Sequence, residues 1–252
     1  MPPFDPELGV ALRALSLSGD GPRESLTLDN LAEWQERDGT SRPRPTAADL
    51  RGDGRYEVAE LRVPGPPGAP DVTLVIVRPS AAVGPLPLLY YMHGGAMVMG
   101  NAWSVLPRIV REWALPLQFA VISVEYRLVP QVRYPAPLDD CHAGLVWVVR
   151  HADELGVDPL GDVRNADDPP PSAVPGRAAD LSGVPPAYID VGSAEMFRDE
   201  DVAYANAIWQ AGGQAELHVW SGGCHGFDGI APVAAISRDA RTRLLRRLLL
   251  LD

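Results

Sequence analysis

The sequence predicts an α/β fold, with a mostly parallel sheet of about six strands flanked by helices. Three observations carry that prediction. Strand-like apolar runs alternate with helix-spaced segments from residue 56 onward. Two of the runs, 86–92 and 119–126, are apolar almost throughout, as strands buried on both faces are. A chain of 252 residues fills one core, so a single globular unit suffices, with residues 1–50 as N-terminal helices and 51–252 as the α/β domain.

The elements follow in order. Residues 5–16 and 28–38 have apolar residues at helical spacing, and Asp29 and Asn30 offer a start signal for the second helix. An Arg/Pro-rich stretch from Arg42 to Pro45 separates them from the sheet. Tyr56–Val63 alternates, Val72–Val77 is β-branched, and Leu86–Met92 is continuously apolar, so these are the first three strands. Ala102–Leu115 has helix length, Phe119–Tyr126 is a further buried strand, and Pro137–Leu155 reads as a long helix with Leu138, Cys141, Leu145 and Val148 on one face. The stretch from Gly156 to Pro186 is dominated by Pro, Gly, Asp and Ala and reads as an unusually long loop. Beyond it, strands Ala187–Val191 and Ala215–Trp220 flank a helix at Asp199–Gln210, and an Arg/Leu amphipathic helix runs from Val233 to Leu250.

Composition narrows the partners. The net charge is −11 and the cations are all Arg, spread without a cluster, which argues against nucleic acid. Two distant cysteines, Cys141 and Cys224, lack metal-ligand spacing and suit a reducing compartment, so neither a disulfide framework nor a metal is expected. The N-terminus has no basic start followed by an apolar run, and no stretch of about 18 apolar residues occurs, so the expectation is a cytoplasmic protein without a membrane span.

Two short segments point to chemistry. His93-Gly94-Gly95-Ala96 follows a buried strand, and glycines there let backbone N–H groups face a developing oxyanion; a glycine-rich turn without a ligand is the alternative. Cys224-His225-Gly226-Phe227 follows the last strand and places a His on a loop at the sheet edge, where a structural histidine is the alternative.

With their surroundings these residues resemble the hormone-sensitive-lipase-like branch of the α/β-hydrolases, the fold-3 type that includes bacterial arylesterases and acetyl-hydrolases. YYMHGGAMVMGN is similar to the family's HGGG strand and loop, VISVEYRLVPQVRYPAPLDDCHAGLVWV to its next strand and helix, and AYIDVGSAEMFRDEDVAYANAIWQAGGQAELHVWSGGCHGF to its acid and histidine segment. The resemblance implies short N-terminal cap helices, an oxyanion hole from the amides of Gly94 and Gly95 with Ala96 in the third glycine's place, and His93 orienting that loop. It implies Glu195 as the acid, where the family has Asp at the head of its motif, and His225, 30 residues later, as the base. Asp199 is the competing acid, and as a first-turn helix residue it has a simpler explanation in the helix dipole. Cleavage of short acyl or aryl esters, without a cofactor, is the activity implied; the partner would be a small apolar ester or acid.

The family's nucleophile is a Ser in a G-x-S-x-G turn between a strand and a helix. No G-x-S-x-G occurs in this chain. The text before Pro159 resembles what precedes that turn and the text after it resembles what lies well beyond, so at least two strand–helix units of roughly 30 residues each are expected to be missing. Ser193, Ser221 and Cys224 are poor substitutes: a strand-end hydroxyl, a turn residue, and a side chain that diverges from its neighbour His225. Weak or absent ester hydrolysis is therefore expected, with a catalytically silent binding protein, or a poorly folding deletion product or mis-drawn gene, as alternatives. The gap in the sheet is expected to be closed by the Ala187 strand pairing beside the Leu86 strand.

Overall fold

The computed structural model describes residues 3–17, 27, 29–41, 44–158 and 180–248. They form two compact units, one from Met1–Glu24 with Val174–Asp252, the other from Ser25–Ala173. Helix α1 (Pro6–Leu17) belongs to the first; α2 (Leu31–Ser41) and α3 (Ala47–Leu50) open the second. Asn30 starts α2, as expected: its carbonyl takes the Trp34 N–H and its carboxamide oxygen the Thr27 N–H.

The Ser25–Ala173 unit is built on β1 (Tyr56–Val63), β2 (Val72–Pro79), β3 (Leu86–Met92), β4 (Ala120–Glu125) and β5 (Val157–Asp158), in the order β1-β2-β4-β3-β5. β1 and β2 run antiparallel, as do β2 and β4, while β3 is parallel to both β4 and β5. Strand pleat divides the side chains between two apolar layers. Val75, Val77 and Val121 pack with Leu106, Ile109 and Phe119 on one face, and Leu74, Ile76, Ile122 and Val124 with Cys141 and Val148 on the other. The helix expected at Ala102–Leu115 begins later and is broken into α4 (Leu106–Ile109), a π turn (Val110–Ala114) and α5 (Leu115–Leu117). Pro116 has no N–H for the Glu112 carbonyl, which accounts for the widened turn. The long helix divides at His151 into α6 (Ala136–Arg150) and α7 (Ala152–Leu155). Cys141 and Val148 are buried on it, as expected, but Leu138 and Leu145 only flank a stripe completed by Pro137, Asp140 and Gly144.

β5 is a seventh strand, read in the sequence as the beginning of a loop. It lies parallel to β3 in two pairs, Leu86 with Val157 and Pro87 with Asp158, at the limit of the described residues. Among the described residues β3 from Leu88 to Met92 pairs with β4 alone, and these residues are half-buried or exposed, not buried on both faces as expected. The stretch from Pro159, where the absent segment was inferred, lies at 159–179, outside the described residues.

In the other unit, β6 (Ala187–Gly192), α8 (Arg198–Gln210) and β7 (Ala215–Trp220) form a parallel βαβ pair, followed by α9 (Phe227–Ile230) and α10 (Ala235–Leu248). Leu8 of α1 packs with Phe227, Ala231, Ala234 and Ala240 in its core. Among the described residues β6 pairs with β7 alone, so the expected pairing of the Ala187 strand beside the Leu86 strand is not found there. The cause is topological: the α6–α7 crossover brings β5 to that edge of β3 first.

Candidate active site

In the Ser25–Ala173 unit, the loop after β3 turns back on itself at once. The Gly95 carbonyl accepts the N–H groups of Val98 and Met99, both at 3.0 Å. Gly95 has φ +122°, and a Cβ there would stand 2.1 Å from the Met99 carbonyl oxygen, so only glycine fits. At Gly94 a Cβ would meet nothing within 4 Å, so the demand for glycine lies at the second position. Ala96 (φ +53°) and Met97 (φ +61°) are both left-handed, a conformation costing non-glycine residues about 1–2 kcal/mol each. Among the described residues no acceptor bonds the N–H of Gly94, Gly95 or Ala96.

The strain is held by neighbours that the sequence reading did not single out. His93 is buried and stacks on Tyr126, with ring centres 4.0 Å apart and planes within 8°. The Tyr126 hydroxyl donates to the His93 carbonyl, so His93 Nδ1 must carry the proton and donate to the Gly94 carbonyl (2.9 Å) and the Tyr126 oxygen (3.1 Å). Gln35 of α2 donates its amide to the carbonyls of Val98 (2.7 Å) and Val129 (2.9 Å), and Val129 N–H bonds the Met97 carbonyl (2.9 Å). One side chain thus ties the turn to the segment after β4. Gln35→Leu is expected to cost about 1–2 kcal/mol by leaving both carbonyls without this donor, and to speed amide exchange over residues 96–100; unchanged exchange there would show that the turn holds without it.

In the other unit, the ends of β6 and β7 are laced together. Ser193 N–H bonds the Trp220 carbonyl (2.8 Å), Ala194 N–H the Gly223 carbonyl (2.9 Å), and Gly222 N–H the Ser193 hydroxyl (2.8 Å). The lacing brings together two of the predicted residues: Glu195 Oε2 lies 2.7 Å from His225 Nδ1, and Glu195 Oε1 accepts the Gly192 N–H at 2.8 Å. The Glu195 side chain is 7% exposed and that of His225 75%, so a nearly dry carboxylate holds a solvent-facing imidazole. Phe197 sets its ring edgewise to the imidazole, centres 5.2 Å apart.

The competing candidates have other occupations. Asp199 pairs with Arg198 at 2.8 Å, and that partner holds its carboxyl below the usual range. Asp201, at the start of α8 and unremarked in the sequence, has its carboxyl raised by burial and then by Glu195 and Glu200, so the surroundings of the imidazole are acidic. Ser193 serves the strand-end lacing, and Ser221 is exposed at the end of β7. Burial raises the Cys224 thiol, a poor setting for a thiolate. Cys141 is pushed up to about 12, by burial first and then by Asp140. A thiol raised when folded adds stability below its unfolded value near 9, and loses it as pH climbs from there toward about 12. Iodoacetamide at pH 8 is accordingly expected to spare Cys141 until urea unfolds the chain; labelling of the native protein would contradict its burial.

The family described as alpha/beta hydrolase fold matches residues 89–163 and 160–229, more than half of the chain. The chain belongs to the α/β-hydrolase family. Its branch is the hormone-sensitive-lipase-like one, as the motifs implied. The esterase LipI of Mycobacterium tuberculosis is 25% identical over 270 residues, spanning 80% of this chain and 81% of LipI. The carboxylesterase NlhH of the same species is 28% identical over 261 residues, spanning 75% and 81%. A solved structure titled bacterial heroin esterase superposes with a TM-score of 0.77 at 26% identity, covering 97% of this chain and 96% of that one. Among the described residues no helix is long and apolar enough to cross a membrane.

Proposed function

We propose that this α/β-hydrolase carries carboxylesterase-type residues, Glu195 and His225 as acid and base in one unit and the amides of Gly94, Gly95 and Ala96 as oxyanion donors in the other, but lacks the serine that would make it a serine esterase. The observation that carries the first half is the 2.7 Å contact between Glu195 and His225, in which a carboxylate fixes the imidazole tautomer and leaves Nε2 to solvent. The names of the relatives, esterase and carboxylesterase, support carboxylic esters as the substrate class. With a nucleophile present, the dyad would take its proton and the loop amides would stabilise the tetrahedral oxyanion.

Two observations support an internal loss at one place. The alignment with LipI runs over 270 residues but engages 80% of these 252, about 200, so close to 70 positions of that protein have no residue here. The family match divides into two stretches that meet at 160–163. The size agrees with two strand–helix units of roughly 30 residues each.

The test is a fluorophosphonate probe together with short-chain alkyl esters. The chain is expected to form no phosphonyl adduct and to turn over no alkyl ester. Replacing the 158–163 junction with the corresponding segment of LipI is expected to create both properties. An adduct on the unaltered chain, or a native mass longer than the sequence, would overturn the reading.

A further inference from the structure

We propose that His225, held by Glu195, hydrolyses activated aryl esters on its own imidazole. The inference rests on the preceding reading that no serine serves as nucleophile, and on the geometry of one unit alone. An ionised carboxylate only accepts hydrogen bonds, so the 2.7 Å contact from Glu195 Oε2 puts the neutral imidazole's proton on Nδ1 and its lone pair on Nε2. The ring is three-quarters exposed, and among the described residues nothing bonds Nε2. In an intact triad a hydroxyl would occupy that nitrogen; here it faces water and any ester that arrives. Phe197, 40% exposed and edge-on to the imidazole, and Met196, 82% exposed, offer apolar surface for an aryl group.

The step balances without a co-reactant other than water. The Nε2 lone pair attacks the acyl carbon, and the bond from that carbon to the aryl oxygen breaks, its electron pair leaving on the phenolate. Glu195 offsets the positive charge on the acylated ring. Water then adds to the acyl carbon, the carbon–nitrogen pair returns to Nε2, and the carboxylic acid and its proton depart, giving net hydrolysis of the ester to acid and phenol. A phenolate with an electron-withdrawing substituent is a better leaving group than imidazole. An alkoxide is a worse one, so the adduct of an alkyl ester reverts, and the activity is confined to activated aryl esters.

The experiment uses the full chain and p-nitrophenyl acetate. The parent is expected to exceed His225→Ala by about tenfold, below the roughly 10²–10⁴ that one positioned acid or base contributes in a complete active site. Glu195→Gln is expected to lose most of that margin and Glu195→Asp to recover part of it, with unaltered melts. Cys224→Ser should keep the parent rate. Rapid acid quench should trap an acetyl group, labile to hydroxylamine, on the peptide that contains His225. Equal rates in parent and His225→Ala, loss of the rate in Cys224→Ser, or a large solvent deuterium isotope effect without a trapped acetyl group would each overturn the proposal. Abolition of the rate by the fluorophosphonate would overturn the absence of a serine nucleophile as well. Insensitivity to that probe, with His225→Ala as active as the parent, would overturn this proposal alone.

Discussion

Arg127→Met is expected to lower the unfolding free energy by about 3 kcal/mol, read as a fall in the urea midpoint without a change in slope. Asp140 is buried on α6, its side chain 2% exposed, and three donors of one residue hold it: Arg127 N–H (3.0 Å), Nε (2.8 Å) and Nη2 (2.7 Å). Removing the guanidinium leaves a buried charge with a single backbone partner. Such breaks cost about 3–5 kcal/mol, and the 30% exposure of the Arg127 side chain argues for the lower end. The pair Arg127→Met with Asp140→Leu is expected to recover most of the loss, since no charge is then stranded. Equal destabilisation in single and double variants would show that packing, and not charge, is at stake. The effect should reach the turn after β3, because Arg127 follows Tyr126, whose ring supports His93.

Gly192→Ala acts in the other unit, on the contact between Glu195 and His225. The added Cβ would lie 2.1 Å from the Gly223 carbonyl oxygen, a backbone atom that cannot swing aside. That carbonyl also accepts the Ala194 N–H, and the Gly192 N–H donates to Glu195. One methyl therefore pushes apart the two loops whose lacing sets acid beside base. Overpacking costs about 1–3 kcal/mol, and each disrupted hydrogen bond about 1 more. In nuclear magnetic resonance, the downfield proton of His225 Nδ1, bonded to Glu195, is expected to vanish in this variant. A retained proton and an unchanged melt would mean that the loops have room to part.

How much of this was legible in the chain alone follows from the range of each interaction. The tripeptide at 93–95, the order of acid and base, and the alternation of strands with helices are patterns within a few residues or a spacing along one dimension, and periodicity exposes them directly. The same holds for the missing G-x-S-x-G, an absence that needs no coordinates. Folding was required wherever residues far apart in the chain compete for one partner. Glu195 and Asp199 are four residues apart and equally acidic; only the lacing of two loops set one against His225 and left the other with Arg198. Gln35 lies 63 residues before Val98, and no local signal marks it as the donor to that carbonyl. The edge of β3 is the same kind of case. An apolar run states that a strand can be buried on both faces, but whether a neighbour arrives depends on a crossover of more than thirty residues, and among the described residues it delivers two rungs, at Val157 and Asp158. Local pattern thus determined the family and the absent turn, whereas long-range pairing decided which carboxylate meets the histidine, what braces the turn after β3, and which strands lie beside β3.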